Sequence, residues 1–335
     1  MLILDAVVAG LAWLGRQGTR ALAASVFIGI ALPPLAELLR HVFLEALLVL
    51  LLMAFLRVDP QALRSQFRRP GLVIAASLWT MLAVPLALCG LALVFDLPQW
   101  SQALYLALLL QAVAPPVTGS PALAAILGLD AALSLAVLIV ATAATPVTVP
   151  VFVALFAGAA LDVSPLALVL KLAGMLGGTA LAAALIRRFV GQPFLHRHAQ
   201  PIDGISVIAL FTFSIGVMGG VGPYILAQPL LVASLIACAF ALSLALIATT
   251  YLIMQRAGRS QAMALGLAVG SRNMGLMVAA AGSAAPELTW LYFAIAQFPI
   301  YTLPHLMQPL IRGIIKGEAS RLPLPEHGVR RPADD

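Results

Sequence analysis

Ten apolar segments follow one another along this chain, each long enough to cross a bilayer. A helix needs about 20 predominantly apolar residues to span ~30 Å of hydrocarbon. The segments fall at residues 20–39, 41–58, 70–95, 100–128, 130–158, 164–189, 202–222, 226–255, 260–283 and 286–315. Composition agrees: charged residues are 10% of the chain, against about 25% in a soluble domain. The expected fold class is therefore an all-α polytopic membrane protein with ten transmembrane helices. The stretch before Arg20 is too short and too charged to span, and residues 1–19 read as an interfacial amphipathic segment. No cleavable signal peptide is expected, because Asp5, Arg16 and Arg20 bracket a short stretch without a small-residue cleavage site.

The basic residues orient the spans. Arg16 and Arg20 precede span 1; Arg57, Arg64, Arg68 and Arg69 lie between spans 2 and 3. Arg187, Arg188 and Arg197 lie between spans 6 and 7, Arg256 and Arg259 between spans 8 and 9, and Arg312, Lys316, Arg321, Arg330 and Arg331 at the C-terminal end. With ten spans all of these share one face, and the opposite connections hold only Arg40. The bias places both termini in the cytoplasm. A miscounted span would scatter these charges over both faces. The net charge of +6 thus reads as membrane orientation, with no nucleic-acid partner expected.

Ten spans divide into five plus five, and an odd number per half makes the halves inverted repeats, as in many secondary transporters. The first repeat covers residues 20–158, the second 159–316, and the tail 317–335 is proline-rich, charged and expected to be disordered. Span 4 is interrupted at APPVTGSP (114–121) and its counterpart, span 9, at AVGSRNMG (268–275); TPVTVP (145–150) and FPIYTLP (298–304) follow at similar distances. Pro115, Pro116 and Pro121 lack N–H groups and push the preceding turn out of helical geometry. The carbonyls so freed are tolerated in lipid only where protein or a water-filled cavity satisfies them. Matched breaks point to a midplane binding site, the alternative being two packed helices merely bent by proline.

These residues resemble the bile acid:sodium symporter family over nearly the whole length. VGSRNMGL (269–276) is similar to that family's V-G-M-Q-N-S-G-L element, and APPVTGSPALAAILGLDAALS (114–134) to its A-P-G-G-T-A-S-N stretch and the following span. The resemblance implies a panel of spans 1, 2, 6 and 7 facing a core of spans 3–5 and 8–10. Broken spans 4 and 9 would cross in the core, and transport would proceed by alternating access. The family holds sodium with oxygen ligands from the crossing helices. Here Ser120, Ser134 and Asn273 keep oxygen-bearing side chains, and Thr80 aligns with a glutamine of span 3. Pro121, Leu138, Ala268 and Arg272 replace an asparagine, a hydroxyl, a glutamate and a glutamine. The resemblance therefore implies a carrier without sodium at the family's two sites. Coupling stays open among none, proton exchange and a sodium site outside this motif.

Arg272 stands in mid-span, where burying an arginine costs ~2.5–3.5 kcal/mol on insertion scales. Three roles compete. It substitutes for sodium, bonding the carbonyls freed at 114–121 and the side chains of Ser120, Ser134 and Asn273. It anchors the carboxylate of a substrate through its fork. Or it is structural and snorkels along a water pocket. Thr118 and Ser271 flank the breaks as candidate lining groups, and Gln111 and Gln297 either line the path or pair between helices. Lys171, about two turns into span 6, reads as a snorkelling side chain.

Other chemistry finds no support. His196-Arg197-His198 lies in a basic loop without a cysteine or carboxylate cluster and reads as solvated; Cys89 and Cys238 read as small core residues. No nucleotide, zinc-protease or nucleophile-elbow motif occurs, so no enzyme and no cofactor are expected. The reading is a carrier of a small or amphipathic organic anion. Short loops point to a bacterial inner membrane, and the oligomeric state stays unassigned. A non-transporting sensor or scaffold and a passive channel are the alternatives. The charge bias predicts that a green fluorescent protein fused after Asp335 fluoresces in cells, while alkaline phosphatase fused there stays inactive. Phosphatase activity would reverse the orientation.

Overall fold

The computed structural model describes residues 9–11, 13, 18–58, 70–158 and 163–319. Most of the expected interfacial segment, Arg64, Arg68 and Arg69, and tail residues 320–335 lie outside the described residues. The regular elements of the described chain are all helices. The helices are α1 (Gly18–Ala31), α2 (Pro33–Arg40), α3 (Phe43–Leu56), α4 (Pro70–Leu78), α5 (Val84–Val94), α6 (Leu97–Trp100), α7 (Gln102–Val113), α8 (Ser120–Ile126) and α9 (Ala131–Phe156). They continue as α10 (Pro165–Val190), α11 (Gln192–Arg197), α12 (Ala199–Met218), α13 (Val221–Ala227), α14 (Pro229–Met254), α15 (Arg259–Gly270), α16 (Met274–Ala281), α17 (Glu287–Leu306) and α18 (Gln308–Ala319). A π-helical turn, Trp79–Ala83, joins α4 to α5.

Helix ends follow local chemistry. Ser101, Asp130 and Ser164 accept the N–H groups of Leu104, Leu133 and Ala167 at 3.2, 2.9 and 3.1 Å, capping α7, α9 and α10. Gly191 ends α10 at φ 81°, a conformation glycine adopts without strain. The paired prolines of TPVTVP and FPIYTLP do not interrupt their helices: Pro146 and Pro150 lie inside α9, and Pro299 and Pro304 inside α17. Pro33-Pro34 does more than kink span 1, which divides at Leu32 into α1 and α2. His196 and Arg197, read as a loop, end the short helix α11, and His198 just after it stacks on Phe194.

Five helical stretches are long and apolar enough to cross a membrane: Pro70–Val94, Ala131–Phe156, Pro165–Val190, Ala199–Ala227 and Pro229–Ala257. The bent pair α2–α3, at 68°, makes a sixth if counted as one span. Most of the other expected spans are divided, at Leu32, at 114–119 and at 271–273. The chain is thus an all-α, multi-pass membrane protein. α12 lies against α1, α2 and α3, and α3 against α10; α14 lies against α15 and α17, and α7 against α5 and α17. At one end, Arg187 donates to the carbonyls of Phe55 and Val58, closing the last turn of α3. Beside it Arg57 pairs with Asp203 at 2.5 Å and donates to Ser206 at 2.9 Å. Both partners of that ion pair are about half exposed, so it adds little stability.

α14 and α15 meet through Gly266-x-x-x-Gly270, which lets two backbones approach closely. A Cβ on Gly270 would stand 2.6 Å from Ile247 Cγ1 and 3.0 Å from the Ser243 carbonyl; one on Gly266 would stand 3.0 Å from the Ile247 carbonyl. Overpacking of this kind costs about 1–3 kcal/mol. Gly270→Leu is therefore expected to lower the thermal midpoint in detergent by several degrees. Gly178→Leu, where nothing lies within 4 Å of the new Cβ, leaves it within about a degree. Equal midpoints for the two variants would refute the close-contact account.

Candidate functional site

The two breaks meet. α7 stops at Val113 because Pro115 and Pro116 follow, and Ala114 is extended (φ −62°, ψ 143°). α15 stops at Gly270, and Ser271 is extended (φ −114°, ψ 96°). The two extended pieces pair as an antiparallel bridge between Pro116 and Arg272. Val117 N–H donates to the Ser271 carbonyl at 2.9 Å, and Asn273 N–H to the Pro115 carbonyl at 2.8 Å. Pro116 and Arg272 are the non-hydrogen-bonded pair of this ladder, so the missing proline N–H leaves no gap in it. The helices restart at once. Pro121 occupies the first turn of α8, and Asn273 caps α16 by accepting Leu276 N–H at 3.3 Å.

This geometry strands three carbonyls, each for its own reason. Val269 would normally serve the N–H of Asn273, which has gone to Pro115 instead. Ala114 lies past the end of α7. Thr80 lies in the π turn, where Val84 N–H donates to Trp79 and the next residue, Pro85, has no N–H. All three converge on Arg272. Its Nε donates to Val269 at 2.8 Å, and its Nη1 donates to Ala114 at 2.8 Å and to Thr80 at 3.1 Å. The side chain is 1% exposed, so it does not reach a water pocket by snorkelling. No described carboxylate pairs with it. Its charge is met instead by carbonyl dipoles and by the C-terminal ends of α7 and α15, the negative poles of two half-helices. Nη2 is buried and donates to no described residue.

The other sequence candidates gather unevenly. Thr80 contributes its carbonyl, while its hydroxyl donates to Ala76 within its own helix at 2.6 Å. Ser271 is buried and contributes a carbonyl to the bridge. Asn273 and Thr118 are half-buried beside the crossing. Ser120 and Ser134 are buried, their hydroxyls have no partner among the described residues, and Arg272 bonds neither of them nor the Asn273 side chain. The guanidinium selects carbonyls over these side chains because the breaks leave carbonyls with no other donor. Gln297 makes no bond to the crossing: it donates to the Phe293 carbonyl and accepts from the Tyr301 hydroxyl. Gln111 accepts from the fully buried Tyr292 hydroxyl at 2.5 Å, tying α7 to α17. Tyr292 is a partner that hydropathy hides, because a tyrosine in an apolar run counts as hydrophobic. Lys171 is exposed and donates to the Ala280 carbonyl at 3.2 Å, so it serves the C-terminal end of α16.

An unpaired buried acceptor costs about 1–3 kcal/mol. Arg272→Met, which strands three carbonyls at once, is therefore expected to lower stability by several kcal/mol. Tyr292→Phe, which strands only Gln111, should cost about a third as much. Chemical unfolding in mixed micelles would check the ratio, and near-equal losses would contradict the convergence.

A family model described as the sodium bile acid symporter family matches residues 44–228. The match begins in α3, takes in the first break and ends as α14 begins, before the second break. Among curated proteins none matches the chain. Since the matched residues make up more than half of the sequence, the chain belongs to the sodium bile acid symporter family, a family of membrane transporters.

Proposed function

We propose that this protein is a secondary carrier that moves a small or amphipathic organic anion by alternating access, with Arg272 as a built-in cation in place of sodium. One observation carries the reading. Three main-chain carbonyls from three different helices converge on a single positive charge, the oxygen environment in which broken-helix carriers hold a hard cation. A tethered guanidinium supplies the same charge without being released in each cycle.

The proposed architecture has ten spans in two inverted five-span repeats, residues 20–158 and 159–316. The crossing of the two breaks, one from each half, supports it. α1, α2, α3, α10 and α12 would form a panel, and the remaining spans a core that moves against it; the contacts of α12 with α1 to α3 support the first body, and those of α14 with α15 and α17 the second. Thr118, Asn273, Ser120 and Ser134 would face the substrate, beside the N-terminal ends of α8 and α16, which favour negative charge. The unpartnered Nη2 of Arg272 leaves a donor for the same anion, so the cation and anchor roles are compatible. The proposed location is the bacterial inner membrane with both termini cytoplasmic.

Uptake of a labelled organic anion, tried as cholate and as lactate, into proteoliposomes is expected to saturate and to proceed equally with external sodium or choline. Arg272→Gln should abolish or strongly weaken it. The same variant frees the three carbonyls, so its thermal midpoint should rise with added sodium while that of the wild type does not. Sodium-stimulated uptake by the wild type would overturn the built-in-cation reading; binding without uptake would favour a sensor, and uptake that fails to saturate a channel.

A further inference from the structure

A second charged site lies at the end of the bundle away from the basic connections, where α2 turns into α3. Here a cleft of about 40 Å³ is lined by Arg40, Gly220, Val221, Tyr224, Glu287 and Trp290, among others. Arg40 is the only Lys or Arg in the connections at this end. Its guanidinium carbon lies 4.8 Å from the centre of the Trp290 ring, a stacking that fixes the plane and leaves the in-plane N–H groups for a partner. Those groups have no described acceptor. Glu287 lines the same cleft, yet Arg40 and Glu287 are not an ion pair. Both are exposed and so can be reached from solvent.

Two opposite charges thus line one small space without neutralising each other. A plain anion would satisfy Arg40 and be repelled by Glu287. The volume suits two or three water-sized groups, enough for a carboxylate and the substituent beside it but not for a steroid body. Behind the cleft lies an aromatic cluster: Phe43 stacks on Phe213 at 5.1 Å, and Trp290 and Phe293 meet them edge-on at 5.4 to 6.2 Å. The Phe213 ring would stand 2.9 Å from a Cβ on Gly275, two residues past Asn273. These rings therefore separate the cleft from the crossing of the breaks.

We propose that this cleft is a mouth subsite for a small carboxylate bearing a hydroxyl or ammonium group next to its carboxyl, with Arg40 holding the carboxylate and Glu287 accepting from the neighbouring donor. The subsite would hold the anion before the aromatic cluster parts. It rests on the reading that the chain carries organic anions, and it narrows that class.

Lactate, alanine and propionate share a three-carbon frame and differ in the donor, so they separate the two charges. Titrated against purified full-length protein and followed by tryptophan fluorescence, lactate or alanine should bind about tenfold more tightly than propionate. Which of the two is tighter tells hydroxyl from ammonium. Trp290→Phe should remove most of the signal. Arg40→Gln should weaken all binding at least about tenfold, and Glu287→Leu, which removes the acceptor, should bring the tighter probe down to the level of propionate. If Arg40→Gln fails to fold, the Glu287→Leu comparison still decides. Equal affinity for the three probes in the wild type, or no change in a folded Arg40→Gln variant, overturns the proposal. Cholate uptake without probe binding would discard the subsite and leave the carrier reading standing. Arg40-dependent probe binding without uptake of any anion would do the reverse.

Discussion

The contact of one guanidinium with three stranded carbonyls is the interaction on which the rest of this structure depends. In lipid a backbone carbonyl that leaves its helix has no water to turn to. Each of the three leaves for a local and traceable reason: the Pro115-Pro116 pair ends α7, the π turn before Pro85 skips Thr80, and the bridge to Pro115 draws away the N–H that Val269 would have used. A guanidinium is planar and carries five donors in a fixed fork, so it can bond several acceptors around its rim. An ammonium is a point charge on a flexible stem and would not span the same arrangement. The cost of burying the charge is offset by these bonds and by the C-terminal poles of two half-helices.

The same rule explains the polar residues around the crossing. Gln111 and Tyr292 bond each other between α7 and α17, and Lys171 reaches the last turn of α16. Interior serines and threonines largely bond their own helix four residues back, as Thr80, Thr145, Thr148 and Thr302 do. Buried serines depart from this habit: Ser77, Ser120, Ser134, Ser214 and Ser243 have hydroxyls without a partner among the described residues. The helices carrying the crossing are themselves held at close range, α15 against α14 through Gly266 and Gly270.

Much of this was legible in the residue order. Hydropathy located the helices, because a membrane admits few other structures. Pro115, Pro116 and the polar run at 271–273 located both breaks, because proline lacks an N–H and constrains its predecessor. The glycines were less legible: Gly266-x-x-x-Gly270 is a pattern that signals close approach, but which helix it approaches is not written in it. Tyr292 was hidden inside an apolar run, and Gln297, polar and mid-span, turned out to serve its neighbours Phe293 and Tyr301.

By itself the sequence determined that the chain lives in lipid, where its helices run and where two of them break, since each of these follows from short stretches of covalent structure and local burial. It also determined that a permanent charge sits at the second break. Only the tertiary structure decided what that charge touches. Ala114 supplies one of the carbonyls expected from 114–121, while the expected side chains of Ser120, Ser134 and Asn273 gave way to the carbonyls of Thr80 and Val269. The physical reason is that every residue carries the same carbonyl, so one stranded outside the proline-broken run at 114–121 leaves little mark in the residue order. It becomes visible only when the path of the chain shows which N–H groups have gone elsewhere.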